Sequence, residues 1–522
     1  MTPEDRLTRR SLLVWGGASA LGAALPGTAT AARRPRALPA QGALPLVTHG
    51  VQSGEVSAAG GVVWARADRE ARMVVEWAAT ESFAGARRVR GPLATEGSDF
   101  TARVPLRGLP AGQDVFYRVV FEDVARPERR SEAAVGRLRT APAARADVSF
   151  TWGGDTAGQG WGIDTARGGM RTYETMRALS PDFFVHSGDT IYADGPLSES
   201  VPLADGSVWR NVVVSEKAKV AETLAEFRGN HRYNLEDVNV RRLNAEVPVL
   251  GQWDDHETVN NWYPGEVLDD PRYTVRDVDL LAARGRRAFL EYWPVTPRAA
   301  QTARVDRVIA YGPSLDLLFL DMRSYRGPNT ANDQAVPGPD TAFLGASQVA
   351  RLKRRLAASR ATWKVICADM PLGLVVADGA TGFEAVAQGD GPPLGRELEI
   401  ADLLAFIARE GIRNTVWITA DVHYTAAHHY DPARARFKDF APFWEFVSGP
   451  LHAGSFPAPR LDDTFGPEVR YVKAPALPNR PPSEGLQFFG HVAIDGATEA
   501  MRVRLMDVAG ATLFEVALEP GG

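Results

Sequence analysis

Residues 182–194 read Asp182-Phe-Phe-Val-His-Ser187-Gly188-Asp189-Thr-Ile-Tyr192-Ala-Asp194. A short apolar run, of the length expected for a buried strand, stops at a glycine and delivers two carboxylates and a phenol within the next few positions. The same construction recurs three times along the chain. Val148-Ser-Phe-Thr-Trp152 runs into Gly153-Gly-Asp155-Thr-Ala-Gly-Gln159, and Val249 to Trp253 runs into Asp254-Asp255-His256-Glu257 with Asn260-Asn261. Asn414-Thr-Val-Trp-Ile-Thr419 runs into Ala420-Asp421-Val-His423. In an α/β sheet the loops that follow the strands form the ligand-binding edge. One aspartate at a strand end is as often a turn former or helix cap as a ligand. Four such segments at equivalent positions exceed what capping explains.

Between these strands lie helical patterns at Met170 to Leu179, Gln348 to Ser359 and Glu397 to Glu410, and the alternation predicts a layered α/β domain over residues 147–520. A charged helix is expected from Glu216 to Arg228, inside an insertion that could wall the site. Met501-Arg-Val-Arg-Leu505 and Thr512 to Leu518 form a closing hairpin. Ahead of this region, residues 46–140 change to short alternating segments, Gly61 to Arg66, Met73 to Trp77, Phe100 to Val104 and Val115 to Phe121, separated by turn residues. That pattern predicts a small all-β sandwich, structural or orienting in role, joined to the α/β part by a hinge at 141–146.

The ends of the composition bound the rest. A chain of 522 residues with 45% hydrophobic content exceeds what one core usually supports, so at least two domains are expected. Charged residues are 24% and the formal net charge is −5, with no basic binding face evident, which argues against a nucleic-acid specificity. The one cysteine, Cys367, sits in the apolar run Trp363-Lys-Val-Ile-Cys367 and reads as a buried strand residue. At the start, Thr8-Arg9-Arg10-Ser11-Leu12-Leu13 leads into a Gly- and Ala-rich apolar stretch ending near Ala29-Thr30-Ala31. This is the pattern of a twin-arginine export signal over residues 1–31, followed by a Pro-rich linker at 32–45. The apolar part is shorter than the roughly 20 residues a bilayer span needs. The expected partner is therefore the twin-arginine export machinery rather than a membrane anchor, and the expected location is periplasmic or extracellular.

Carboxylate, imidazole, amide and phenol donors suit hard or intermediate cations, and no set of thiols is available for a soft site. Two ions about 3.5–4 Å apart, bridged by Asp189, could activate a hydroxide in line with phosphorus and neutralise the attacking and leaving oxygens. Gly188-Asp189-Thr-Ile-Tyr192, Trp253-Asp254-Asp255-His256-Glu257 with Asn260-Asn261-Trp262, and Asp421-Val-His423-Tyr424 resemble the signature blocks of PhoD-type alkaline phosphatases. Thr48-His-Gly-Val-Gln-Ser-Gly54 and Leu320-Asp321-Met-Arg323-Ser-Tyr325-Arg326 resemble further segments of that family.

The resemblance implies a metallophosphoesterase-like catalytic domain with iron(III) and nearby calcium. Asp155, Asp189, Tyr192 and His423 would surround the iron. Asp189 would bridge outward, and Asp255 (or Asp254) with Asp421 would complete the calcium side. His256 and Asn261 (or Asn260) would touch phosphate or water as catalytic groups, and Arg323 is a candidate phosphate clamp with ion pairing as its alternative. The family often carries a cysteine where this chain has Asp155, an oxygen donor that leaves Mn, Zn or Mg open as well. The small domain has Gly54-Glu55-Val56 in place of a Gly-Asp-Pro turn.

The expected activity is hydrolysis of phosphate mono- or diesters. Two rivals stand beside it: a phosphodiesterase or phospholipase D-type enzyme acting on lipid or teichoic polymers, and a non-catalytic exported protein whose metals are structural. His186, His428, His429, His452 and His491 read as ordinary core or strand histidines. The glycines of Gly158-Gln-Gly-Trp-Gly162 lack the lysine and spacing of a nucleotide loop.

Overall fold

The turn-punctuated region folds as seven strands: β1 (Val47–Ser57), β2 (Gly60–Ala67), β3 (Ala71–Ala78), β4 (Arg87–Ala94), β5 (Thr101–Arg107), β6 (Asp114–Asp123) and β7 (Ala134–Arg139). This computed structural model describes residues 43–521, so the export signal and nearly all of the linker lie outside the described residues. The strands pair as two antiparallel sheets in the orders β1-β2-β5 and β4-β3-β6-β7. Strand β6 shows why: Val115, Tyr117, Val119 and Phe121 are buried while Phe116, Arg118 and Val120 between them are half-exposed, the two-residue period of a strand with one face on a core.

The remainder is built on two larger sheets. The first takes β8 (Val148–Gly153) and β9 (Phe183–Ser187) with, after the small hairpin β10 (Ser200–Pro202) and β11 (Val208–Arg210), the parallel strand β12 (Val249–Gln252). The second contains β13 (Arg307–Tyr311), β14 (Leu315–Phe319), β15 (Trp363–Cys367), β18 (Thr415–Thr419), β19 (Thr425–Tyr430), β20 (Phe443–Val447) and β21 (Pro467–Lys473), with the two-residue strands β16 (Ala377–Asp378) and β17 (Gly382–Phe383) paired apart from it. Its order is β13-β14-β15-β18-β20-β19-β21, parallel from β14 to β20. Three late strands, β22 (Phe488–Ile494), β23 (Met501–Asp507) and β24 (Thr512–Leu518), return to the first sheet, which reads β12-β9-β8-β22-β23-β24. Among the described residues seven helices accompany them: α1 (Arg171–Ala178), α2 (Leu224–Asn234), α3 (Val238–Glu246), α4 (Val278–Tyr292), α5 (Pro297–Thr302), α6 (Ala346–Ala358) and α7 (Glu397–Arg409).

Alternation along the strands sorts the side chains into layers. Phe183, Val185, Leu317, Phe319, Val365, Cys367 and Ile418 meet in one core between the two sheets. Their neighbours Phe184 and Val249 face Tyr173, Met176, Leu243 and Phe289 on α1, α3 and α4. Leu318, Ile366 and Trp417 face Leu352, Leu356, Leu403 and Ile407 on α6 and α7. The result is helix, sheet, sheet, helix, the layered α/β arrangement expected. The buried residues of the small β region run into the inter-sheet core without a break, with Ala141 of the expected hinge itself buried. Cys367 is buried there, and that burial pushes its thiol well up, which leaves it inert. Among the described residues no helix is long and apolar enough to cross a membrane.

One expected element moves. The charged helix placed from Glu216 begins instead at Leu224, because Thr223 and Glu226 form a reciprocal capping box there. Lys217, within the run expected to be helical, is buried and donates to the Tyr192 carbonyl at 2.8 Å.

The C-terminal end of α4 ties the small β region to the larger sheets. Trp64 Nε1 donates to the Glu291 carbonyl at 2.8 Å, and Asp99 receives Arg66 (3.2 Å), Arg232 and the Tyr292 hydroxyl. Burial pushes the Asp99 carboxyl up, but Arg232, Arg66 and Tyr292 outweigh it and hold it below the ordinary 3.8. A carboxyl whose folded value is depressed contributes stability above its unfolded value and loses it as pH falls through the folded one. Asp99→Asn is expected to lower stability at pH 7 by about 1–3 kcal/mol, read by chemical denaturation. The difference from the parent should shrink on acidification below pH ~4 as the parent's carboxyl protonates.

Candidate metal centre

Five parallel strands drawn from both large sheets end at one place. Asp155 follows β8, Asp189 and Tyr192 follow β9, Asp254 to Glu257 follow β12, Asp369 follows β15, and Asp421 with His423 follows β18. Their donor atoms fall into three sets, each with its members within 4.8 Å of one another: Asp155, Asp189 and His423; Asp189, Asp255 and His256; Asp254, Asp255 and Asp421. Asp189 joins the first set to the second, and Asp255 joins the second to the third. The sets therefore form a row.

The backbone is bent to make this row. Asp155, Asp189, Asp421 and His423 have φ of 67°, 50°, 67° and 59°, in the left-handed region that L-residues avoid except in short polar side chains such as Asp and Asn. Strained backbone concentrated at one site is characteristic of functional geometry held by its surroundings. The hold is visible here. Glu257 accepts the Thr190 N–H (2.5 Å) and hydroxyl (2.6 Å) on one oxygen and the Asp254 N–H (2.7 Å) on the other, strapping the β9 loop to the β12 loop. Ala157 donates to the His452 carbonyl at 2.7 Å and His452 donates back to the Asp155 carbonyl at 3.0 Å. Two glycines give these side chains room: a Cβ on Gly449 would lie 2.1 Å from Asp155 Oδ2, and one on Gly158 would lie 2.3 Å from the Tyr192 ring.

The histidines are oriented from behind. His423 Nδ1 donates to the Gly454 carbonyl, which leaves the lone pair of Nε2 facing the site, 2.7 Å from the Tyr192 hydroxyl and 3.9 Å from Asp155. Burial pushes its pKa down to about 4, so the ring is neutral as a ligand must be. His256 Nδ1 contacts Asp194 Oδ1 at 2.7 Å. Burial alone would lower that histidine too, but Asp194, Asp255 and Asp254 raise it to about 10. Its main-chain N–H meets Asp255 Oδ1 at 2.8 Å and Asp189 Oδ1 at 3.3 Å.

The carboxylates are short of compensation. Burial, then neighbouring carboxylates, push Asp155, Asp189 and Asp421 well above the ordinary range. Asp255 is the exception, since His256, Arg323 and two main-chain N–H donors overcome its burial and hold it at about 2. Both oxygens of Asp155, Oδ2 of Asp189 and Oδ2 of Asp254 are buried with no hydrogen-bond partner. An unpaired buried carboxylate oxygen is costly. Oxygen and imidazole donors in adjoining sets, with oxygens left unpaired, fit hard or intermediate cations.

Several expected residues take other places. Strand β12 ends at Gln252, so strand alternation does not separate Asp254 from Asp255, and both reach the row. Arg323 does not face an open site. It is fully buried behind the carboxylates, with Nε 2.6 Å from Asp254, Nη2 2.6 Å from Glu384, and contacts of 3.9 Å to Asp255, Asp369 and Asp421. It acts as an internal counter-charge and is not placed as a phosphate clamp. Asn260 is exposed, and its N–H donates to Asp194 Oδ2 at 2.9 Å. Asn261 donates its N–H to Asp255 Oδ2 at 2.6 Å and its side chain to Asp378 at 3.1 Å. Of the histidines read as ordinary, His428 is buried against Glu445 at 3.0 Å, away from the row.

Three contributors were not assigned from the sequence. Asp369 stands just past β15, in the same strand-end position as the others, and was legible by that rule. Asp194 lay within the quoted β9 block without a role. Glu384 follows the short strand β17 and carries no local signal.

The family model described as PhoD-like phosphatase matches residues 150–505, and the model described as its N-terminal domain matches residues 30–142. The chain belongs to the PhoD-like phosphatase family. Alkaline phosphatase D of Bacillus subtilis (strain 168) is 27% identical over 343 residues, a match spanning 63% of this chain and 55% of that protein. Among solved structures, that of PhoD superposes with a TM-score of 0.68 at 20% identity, covering 92% of this chain and 90% of the other. A purple acid phosphatase, PPD1 from yellow lupin (Lupinus luteus) seeds, superposes with a TM-score of 0.54 at 11% identity, over 91% of this chain and 74% of that one. The metallophosphoesterase-like fold expected for the PhoD-like family is thus the fold observed.

Gly449 offers a direct test of the row as a metal centre. Gly449→Ala drives a methyl group onto Asp155 Oδ2 and is expected to weaken metal retention about 10-fold or more, measured as metal per chain by elemental analysis after dialysis. Circular dichroism should be unchanged. Undiminished metal content in a folded variant would remove Asp155 from the ligand set.

Proposed function

We propose that this protein is an exported, metal-dependent phosphoesterase that hydrolyses phosphate mono- or diesters outside the cytoplasm. The observation that carries the proposal is the row of three donor sets joined through Asp189 and Asp255, with buried carboxylate oxygens left without partners. The printed name of the Bacillus relative, alkaline phosphatase D, points the same way.

In this proposal Asp155, Asp189, Tyr192 and His423 would hold one ion, and Asp255 and Asp421 would form the calcium side, with Asp189 belonging to the donor sets on both sides. Bound cations would supply Lewis acidity toward phosphoryl oxygens and lower the pKa of water. The chain's own groups do the positioning. Asp194 fixes His256 through Nδ1, so that a protonated ring presents its other nitrogen as a donor to a phosphoryl or leaving oxygen. Asn261 orients Asp255 through its N–H, and Arg323 stabilises the crowded carboxylates from behind. Iron(III) with calcium is the assignment the family resemblance supports. Burial, then Asp189 and Asp155, raise the Tyr192 phenol well above 10, so a strongly acidic ion is needed to ionise it.

The deciding experiment compares a nitrophenyl phosphate monoester with the matching diester, using mature protein with and without chelator and added calcium. Hydrolysis lost on chelation is the expected result, and the monoester-to-diester ratio assigns the substrate class. Asp189→Asn removes the shared charge and should cut turnover about 100-fold or more. A variant at near-parental rate would sink the proposal. Tyr192→Phe should also bleach any visible tyrosinate-to-iron(III) absorption. A band that survives would exclude Tyr192 as an iron ligand.

A further inference from the structure

The open edge of the seven-stranded sheet, at β13, borders a cavity of about 850 Å³ walled by α5, α6 and a turn of β1. Six arginines line it: Arg298, Arg304, Arg307, Arg351, Arg354 and Arg355. Only two carboxylates, Glu55 and Asp306, accompany them. The groove therefore carries a net of four positive charges on a chain whose formal net charge is −5. No basic face was evident in the sequence because these arginines are dispersed over 298–355 and come together only where α5, β13 and α6 meet.

The six are not equivalent. Arg307 is fixed in the floor, 2.7 Å from Glu55, donating to the Gly251 carbonyl at 2.9 Å and lying 4.4 Å over the Phe319 ring. Arg304 and Arg351 share Asp306, at 2.5 and 3.0 Å. Arg298 on α5 and Arg354 and Arg355 on α6 are exposed and form no ion pair among the described residues. The spacing of 351, 354 and 355 puts them on one face of α6 within about a turn of each other, opposite Arg298 on the other wall. Ala299 and Ala358 keep the space between the walls clear.

We propose that this groove binds a linear polyanion bearing repeated phosphates. A single phosphate would be satisfied by one bidentate guanidinium pair. Unpaired guanidiniums spread over α5 and α6, the two helices that wall the cavity, match successive phosphates along a chain, each contact releasing counter-ions. The floor of the groove and the acidic row are neighbours along the chain: Leu320 lies in the lining, and the next residue, Asp321, accepts from Trp253 Nε1 at 2.9 Å, immediately before Asp254 of the row. The binding itself does not depend on the proposed hydrolytic activity.

The test uses the metal-loaded mature protein, long-chain inorganic polyphosphate carrying a fluorescent end label, and anisotropy at several salt concentrations. The variant R298Q/R354Q/R355Q changes only exposed side chains. Its affinity should fall 10-fold or more, its log–log salt slope should shrink by about 2–3, and nitrophenyl ester hydrolysis should be unchanged. Excess orthophosphate, small enough for the metal centre, should not displace the polymer from the parent. Parental affinity in the variant, or displacement by orthophosphate, would overturn the groove assignment. Arginine-dependent retention on phosphatidylglycerol vesicles tighter than on the polymer would overturn the polymer assignment in favour of a membrane surface. An absence of hydrolysis with arginine-dependent polymer binding intact would count against the enzymatic proposal alone.

Discussion

Like charges at close quarters dominate this molecule. Asp155, Asp189, Asp254, Asp255, Asp369, Asp421 and Glu384 are drawn together around Arg323 and the acidic row, all but the half-buried Asp421 out of solvent, where carboxylates repel one another strongly and resist ionisation. The fold answers with two internal cations, Arg323 and His256, and with main-chain N–H groups aimed at individual oxygens. These answer only part of the charge, and the oxygens left unsatisfied on Asp155 and Asp189 mark where positive charge is still wanted. Much else in the fold follows from holding those loops still: the Glu257 strap, the left-handed turns at the ligands, and the glycines that leave no room for a side chain.

The helix, sheet, sheet, helix layering serves the same end. Two sheets packed face to face bring the ends of β8, β9 and β12 opposite those of β15 and β18, so candidate ligands distant in sequence become neighbours. A site assembled from one sheet alone would lack either Asp155 and Asp189 or Asp421 and His423. The small β region adds no ligand. It braces the end of α4 through Asp99 and Trp64, and α4 in turn packs on the outer face of the first sheet.

Much of this was legible from residue order because strand ends follow a simple rule: an apolar run, a small residue, then a polar group. That rule located Asp155, Asp189, Asp255, Asp421 and His423, and it applied equally to Asp369, which went unassigned. It did not reach Glu384 or the buried position of Arg323, because both depend on packing between segments far apart in the chain. Local chemistry leaves Arg323 open between a phosphate clamp and an ion pair, and the convergence of Asp254 and Glu384 on its guanidinium makes it a counter-charge. The start of α2 was misplaced for a different reason. The charged run from Glu216 has helical composition, but the capping box at Thr223 fixes where the first turn begins.

The pairing of β8 with β22, where Gly490 lies opposite Trp152, bears on the order of events during synthesis. Asp155, Asp189 and Asp255 leave the ribosome early, on a half-built sheet whose β8 edge has no partner until the last strands emerge. His423 and the loop that buttresses Asp155 through His452 also come late. The nascent chain thus exposes an acidic, loosely held collection of donors for most of its elongation, and the selective geometry exists only after release. A cation that needs the full donor set is accordingly held only once the finished chain has closed.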